Sequence, residues 1–328
     1  MSNYSFKSPI ITIFGGTGFL GRYIVNRLAK LGYIINVVTR FPNEAIFLKT
    51  SGNVGQINFA KGSFSNLSKL SYLLSSSEIV INCVGILNEE KNKKFRQIHS
   101  DAPEKLAILA KDLGVKKFIH ISSIGADQKS DSDYAKSKGI GETKILNAFP
   151  DAIILRPSIV FGSEDQFFNL FSKISCISPI LPIVGGDTKF QPVYVGDIAK
   201  LVEKIIKKEK STSKKNNSIY ELGGPDIMSF HSLMLKMLTY IYRKRLIVNL
   251  PFWVAKFMCP IIFILHKLSF NKIPLLITED SIKQLKNDNI VSKKFLGFED
   301  FGIKPKSMDL ILPSYLKHYR PRGNFSDL

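Results

Sequence analysis

Residues 10–21 read Ile-Ile-Thr-Ile-Phe-Gly-Gly-Thr-Gly-Phe-Leu-Gly. An apolar run ends in three spaced glycines, Gly15, Gly18 and Gly21. After them, Leu20, Ile24, Val25, Leu28 and Leu31 fall at helical spacing, which predicts a helix over Arg22–Leu31 with Gly32 as its stop. The order is strand, tight turn, helix. Gly15 allows the turn, Gly18 lets backbone approach a pyrophosphate, and Gly21 lets the helix lie on the strand. The first amides of such a helix point at phosphate.

The next strand is Ile34–Thr39, and it ends at Arg40. Sites for NAD place an acid near this point to hold the ribose 2′-hydroxyl. None occurs before Glu44; Arg40 stands there, and Arg22 opens the helix. A guanidinium pairs with a 2′-phosphate through two hydrogen bonds. The expected cofactor is therefore NADP(H) in preference to NAD(H).

Further strands are expected at Gln56–Phe59, Ile79–Val84, Lys117–Ile121 and Ile153–Leu155, with helices between them. Asp101 and Glu104 have the spacing of a capping box for a helix running to Leu113, and Gly114 closes it. Tyr134–Asn147 is the next helix. This alternation predicts an α/β fold, a Rossmann-type doubly wound parallel sheet covered on both faces. Beyond Gly224 the pattern turns to longer helical stretches. The expected division is a nucleotide-binding domain over 1–165 and a smaller, mostly helical part over 166–328, interleaved with the sheet. Lys207–Asn217 reads as a mobile surface loop.

The 328 residues include 46 Lys and Arg against 27 Asp and Glu, a formal charge of +19. Two sources of that excess stay open: a biased composition, or a surface that meets an acidic protein or anionic lipid. No aromatic–basic recognition motif accompanies it, so nucleic acid is not the indicated partner. Cys83, Cys176 and Cys259 lie far apart and read as buried thiols of a reducing compartment, and the five histidines show no metal spacing. Met1–Pro9 is too short and polar for a signal peptide. Leu250–Leu268 is apolar, but Lys256 and Pro260 interrupt it. It falls short of a membrane span. It reads either as helices packed on the core or as an interfacial surface near lipid.

Catalytic candidates follow the fifth strand. Tyr134 and Lys138 share one helix face, and Ser122 and Ser123 precede them. The Lys138 ammonium is expected to lower the Tyr134 pKa, and a tyrosine so tuned exchanges protons during hydride transfer. Ser123 would orient a substrate carbonyl.

With this series the chain resembles the short-chain dehydrogenase/reductase superfamily in its atypical, extended branch. Leu155-Arg-Pro-Ser-Ile-Val-Phe-Gly-Ser-Glu-Asp165, Phe190-Gln-Pro-Val-Tyr-Val-Gly-Asp197 and Tyr220-Glu-Leu-Gly-Gly-Pro225 extend the likeness. Pro274-Leu-Leu-Ile-Thr-Glu-Asp280, Asp288-Asn-Ile-Val291 and Tyr315-Leu-Lys-His-Tyr-Arg-Pro-Arg-Gly323 narrow it to the nucleotide-binding accessory subunits of respiratory complex I and their bacterial relatives. The resemblance covers residues 10–323. It implies a tightly held, largely structural NADPH and a place beside the quinone-reactive, membrane-facing region of a respiratory complex. The protein would then sit on the cytoplasmic or matrix-like side, peripheral to the inner membrane. A related branch serves ubiquinone synthesis, which implies instead an active reductase on a hydrophobic carbonyl; a redox-sensing assembly factor is a third reading. Where related sheets carry Gly-Asp after the third strand, this chain has Gly62-Ser63, so adenine would be held by the hydroxyl or more weakly. The candidate cofactor contacts are Gly15, Thr17, Gly18, Phe19, Leu20, Gly21, Arg22, Arg40, Ser63, Val84, Gly85, Tyr134, Lys138 and Pro157. Ser123, Tyr134 and Lys138 are the catalytic candidates, with Tyr134 and Lys138 serving either a proton transfer or the nicotinamide ribose alone. No metal site is expected.

Overall fold

The computed structural model describes residues 9–89, 94–208, 219–268 and 277–323. The chain begins with β1 (Ile10–Phe14), α1 (Phe19–Lys30), β2 (Ile34–Thr39), β3 (Ile57–Lys61), α2 (Ser71–Ser75) and β4 (Ile79–Asn82). It continues through α3 (Ala102–Asp112), β5 (Lys117–Ile121), α4 (Asp133–Ala148), β6 (Ile153–Pro157) and β7 (Val160–Phe161). Then come α5 (Phe167–Ile177), β8 (Ile180–Val184), β9 (Lys189–Phe190), β10 (Val193–Tyr194) and α6 (Val195–Lys207). The last stretch holds β11 (Ile219–Leu222), β12 (Met228–Ser229), α7 (Phe230–Tyr240), β13 (Leu246–Leu250), α8 (Phe252–Leu268), α9 (Glu279–Gln284) and α10 (Met308–Leu316).

Among the described residues, seven strands form one parallel sheet in the order β11-β6-β5-β4-β1-β2-β3. Its two faces carry separate cores because successive side chains alternate. Ile11 and Ile13 of β1, Val37 of β2 and Ile81 of β4 pack against Ile24, Val25 and Leu28 of α1 and Ile198, Leu201 and Val202 of α6. On the other face Phe14, Val38, Val80, Phe118 and Ile154 meet Leu106, Ala107 and Ala110 of α3 and Ile145 of α4. The sheet is thus doubly wound, as the alternation predicts. A further core of Phe161, Phe168, Phe190, Phe230, Met234 and Leu312 gathers α5, α7 and α10 into the largely helical C-terminal part. That part also returns α6 and β11 to the sheet layers.

Several local expectations shift. α1 starts at Phe19 rather than Arg22, and Gly32 follows it at φ 88°. β4 ends at Asn82, short of Val84. The Asp101–Glu104 capping box does not form. A π turn over Arg96–Asp101 feeds into α3, so Asp101 is already helical and makes no side-chain cap. Both acids bind Lys144 of α4 instead, at 2.9 and 2.8 Å. Residues 209–217 of the expected mobile loop lie outside the described residues. α8 carries Pro260 in its interior, with Ala255 and Cys259 buried and Trp253, Phe257 and Ile264 exposed. Among the described residues no helix is long and apolar enough to cross a membrane. Cys83, Cys176 and Cys259 are free thiols, but of the three expected to be buried only Cys259 is, Cys83 and Cys176 being half-buried.

Candidate functional site

β1 is flanked by β2 and β4, so successive connections leave it in opposite directions. A crevice opens at such a switch point beyond the carboxyl ends of the strands. Gly15 turns the chain there at φ 77°. A side chain on Gly15 would meet the Cys83 carbonyl carbon and the Val84 nitrogen at 3.0 Å, so the turn lies directly on the end of β4. The Gly18 amide donates to the Gly15 carbonyl at 3.1 Å and closes the turn. At Gly21 a Cβ would stand 2.1 Å from the Gly15 oxygen, which is the close helix–strand packing expected of it. Gly18 caps α1 without a side chain, and the first turn of α1 holds no acid. The positive end of the helix therefore faces the crevice unneutralised. Thr17 gives its carbonyl to Arg22 Nη2 at 3.2 Å. Phe19 stands edge-on to Tyr23, and Leu20 packs on the core.

The two arginines differ. Arg22 also approaches Glu164 at 3.8 Å and lies over the Phe47 ring, so its guanidinium is engaged within the fold. Arg40 is exposed at the end of β2, over the Phe41 ring, and makes no ion pair among the described residues. The Gly62 amide donates to the Thr39 carbonyl at 3.0 Å, which brings the Ser63 turn beside Arg40.

Beyond β4, Asn82 Oδ1 accepts the Val84 amide at 3.1 Å while its Nδ2 meets His120 Nδ1 at 3.1 Å. An amide nitrogen only donates, so His120 accepts at Nδ1 and carries its proton on Nε2. That Nε2 has no partner among the described residues. Gly85 covers the next layer, where an added Cβ would lie 3.4 Å from Lys138 Nζ and 3.7 Å from His99 Nε2. His99 is fixed as well: Nε2 accepts the Ile86 amide at 3.0 Å, and Nδ1 meets Ser137 Oγ at 3.0 Å. Ser137 donates onward to the Tyr134 carbonyl at 2.7 Å. Burial first, then the nearby Lys138 charge, lowers the His99 pKa to about 2, so the ring is neutral.

At the end of β5 the Ser122 hydroxyl is buried without a hydrogen-bond partner among the described residues, and the buried Ser123 hydroxyl faces the Tyr134 phenol. The Pro157 carbonyl at the end of β6 holds this turn through the Ile124 amide at 3.0 Å. On α4, Lys138 Nζ lies 5.9 Å from the Tyr134 ring centre and donates to the Ile121 carbonyl at 3.3 Å. The expected tuning of Tyr134 by Lys138 is corrected here. Burial raises the Tyr134 pKa, and Ser123, not Lys138, opposes the rise. Burial also lowers the Lys138 amine to about 8, with Glu142 and Cys83 acting against the drop. The thiol of Cys83 is pushed up to about 12 by burial.

The structure thus brings Gly15, Val84, Gly85, Lys138, Tyr134, Ser123 and Pro157 into one crevice at the carboxyl ends of β1, β4, β5 and β6. Arg40 and Ser63 sit at its far side, beyond β2 and β3. The residues fit a dinucleotide on two counts: the glycine turn is cleared of side chains, and two buried polar atoms, Ser122 Oγ and His120 Nε2, lack partners among the described residues. Asn82, His99 and Ser137 escaped sequence reasoning. The only local signal was Ser137 between Tyr134 and Lys138, since the contacts of His99 come from distant chain. No cluster of residues able to hold a metal occurs among the described residues. Two open cavities lie elsewhere, one of about 670 Å³ beside Gly185, Asn249 and Phe252, the other of about 540 Å³ between α1 and α6.

Comparison with known proteins agrees with this fold. The profile of the NAD dependent epimerase/dehydratase family matches residues 11–223. The mitochondrial NADH dehydrogenase (ubiquinone) 1 alpha subcomplex subunit 9 of Arabidopsis thaliana is 35% identical over 324 residues, 97% of this chain and 80% of that one. The Rattus norvegicus protein of the same name is 30% identical, covering 96% of this chain and 82% of its own length. Among solved structures, a UDP-glucose 4-epimerase from Thermotoga maritima superimposes with a TM-score of 0.68 at 17% identity, covering 94% of this chain and 98% of that one. At that identity the likeness speaks for the fold alone.

Proposed function

The chain belongs to the NAD dependent epimerase/dehydratase family, and from that membership we propose that it is an accessory or assembly subunit of a respiratory NADH:ubiquinone oxidoreductase that holds NADP(H) largely as a structural element. The observation that carries this reading is the match along 97% of the chain to a subunit of such an enzyme. Residues 1–165 would hold the nucleotide, and 166–328 would face substrate or partner. Gly15, Thr17, Gly18, Phe19, Leu20, Gly21 and Arg22 would form the pyrophosphate cradle. Val84, Gly85 and Pro157 would line the nicotinamide half, and Ser63 the adenine side. Arg40 would meet the 2′-phosphate, which makes the preference NADP(H) over NAD(H). A phenol whose pKa is raised keeps its proton at neutral pH. Tyr134 and Lys138 then act as donors to ribose hydroxyls.

The arrangement also favours a second reading, a reductase of a hydrophobic carbonyl on the quinone pathway. A bound nicotinamide supplies a hydride when reduced. Tyr134 would give the proton, and the Ser123 hydroxyl beside it would hold the carbonyl oxygen. For location, we propose a peripheral place at a membrane face. The exposed Trp253, Phe257 and Ile264 of α8 support it, as does the groove between α1 and α6, where Arg27, Lys30, Lys200, Lys304 and Lys306 outnumber Asp197 and Glu203. That groove suits an acidic partner.

Native mass spectrometry of the purified protein identifies the retained nucleotide and any co-purifying subunit. Single-turnover oxidation with quinone and aldehyde substrates then separates the readings. Retained NADPH without turnover supports the structural role. Oxidation that falls on the order of a hundredfold in Tyr134→Phe would establish the reductase.

A further inference from the structure

The helix that carries Tyr134 and Lys138 is held at its start by a residue from the other end of the chain. Asp280 lies in the first turn of α9. Its Oδ1 accepts the Asp133 amide at 2.6 Å, and its Oδ2 accepts the Tyr134 amide at 3.2 Å and the Ser132 hydroxyl at 2.9 Å. Ser132 is the cap of α4 in its own right, accepting the Ala135 amide at 3.2 Å. Asp280 therefore takes the amides that Ser132 leaves open, and it orients Ser132 as well. A carboxylate suits the positive end of a helix. Lys283 adds a second tie from α9, to the Asp131 carbonyl at 3.1 Å.

α9 is itself well defined. Thr278 and Ser281 close a reciprocal capping box, and Gln284 donates to Asp280 Oδ2 at 3.1 Å. Ile282 buries itself with Ala255 and Cys259 of α8 and with Val184. One short helix thus packs on α8 through an apolar side chain and on the catalytic-type helix through a carboxylate. The Asp280 charge also reaches the Tyr134 phenol and contributes to its raised pKa.

We propose that Asp280 is a positioning residue that links the order of the C-terminal helices α8 and α9 to nucleotide bound at Tyr134. The proposal rests on the reading that Tyr134 contacts the nucleotide. Linkage is reciprocal: nucleotide that fixes Tyr134 stabilises α9, and whatever fixes α8 and α9 tightens the nucleotide. Two-site coupling of this kind typically spans about 5–150-fold in affinity.

Hydrogen exchange of the full chain, with and without NADPH, tests it alongside an NADPH fluorescence titration. In the unmodified protein, NADPH is expected to slow exchange in both 133–138 and 279–284. In Asp280→Ala, protection on binding should persist over 133–138 and disappear over 279–284, with NADPH affinity reduced about 5-fold or more. Asp280→Asn keeps one acceptor oxygen and should fall between the two. Unchanged affinity together with retained protection of 279–284 in Asp280→Ala would overturn the proposal. So would a uniform loss of protection that includes 19–30 in both variants, since Asp280 would then be a general stabiliser. Should the unmodified protein bind no NADPH, the nucleotide reading falls. The positioning role is then decided without nucleotide: Asp280→Asn must speed exchange over 133–138 and leave 19–30 unaltered, and equal rates would refute it.

Discussion

At Gly18 the backbone is extended, φ −72° and ψ 175°, a conformation open to any residue. A Cβ there meets only the Gly15 oxygen, at 3.3 Å. Gly18→Val should therefore fold, with a melting temperature close to that of the nucleotide-free parent, and should lose the retained nucleotide together with the stability its binding confers. Mass spectrometry under native conditions and a thermal melt check both halves. Arg40→Asp replaces the exposed guanidinium at the end of β2 with a charge that repels phosphate. Calorimetry should show the preference for NADPH over NADH shrinking by about 1.5–3 kcal/mol, the worth of a hydrogen bond to a charged group. Lys138 gives a pH signature. Its amine titrates near 8 in the folded chain, because burial disfavours the charge, and near 10.4 when unfolded. Between those values the unfolded chain binds more protons, so stability rises with pH. Lys138→Met should flatten that slope in denaturant titrations and gain on the order of 1–3 kcal/mol near pH 7. These residues were legible in unequal measure. The glycine turn is chemistry of contiguous backbone, so spacing alone revealed it. The direction of the Tyr134 shift was not readable, because burial by distant chain sets it, and what opposes it is Ser123 of the β5 turn rather than the lysine one turn away.

Local pattern misleads most where two elements share a residue. Asp101 and Glu104 have capping-box spacing, yet the π turn before α3 makes Asp101 helical and releases both acids to Lys144. The competing partner lies 43 residues away from Asp101, beyond any window of local reading. α4 shows the same lesson at larger stakes. Its face toward the sheet carries Glu142, bonded to Arg156 of β6 at 2.5 Å, and Arg156 reaches Glu221 of β11 at 3.5 Å. The three side chains are nearly buried and join a helix to two strands. Arg156→Ala would strand two buried carboxylates. The expected loss is about 3–5 kcal/mol, as for removing one member of a buried ion pair. Urea unfolding, read as a lower midpoint at unchanged slope, checks it.

Over the whole molecule, the parallel sheet and its helical layers were readable from alternating strand and helix patterns, since each βαβ unit is local. The outermost strand was not. β11 arrives from residues 219–222 after the chain has passed through α5, the β7–β10 strand pair and α6. It docks on β6 with Ile219 opposite Ile154 and Leu222 opposite Pro157. A chain cut after residue 165 lacks that strand and also lacks α6, which covers α1 on the same face as Ile11 and Ile13. It should expose an unpaired strand edge and an apolar sheet face, and so aggregate. Sedimentation of that fragment beside one ending at 223 measures the difference; a soluble, monomeric short fragment would contradict it. Late arrival of β11 also has a cost in time. On the ribosome, β6 emerges with its edge bare, and translation at about 5–20 residues per second leaves it bare for several seconds before Leu222 follows. During that interval the nascent chain offers a sticky half-sheet to its neighbours. Its yield in the cell should then depend on chaperone supply during synthesis, even when the finished protein is stable.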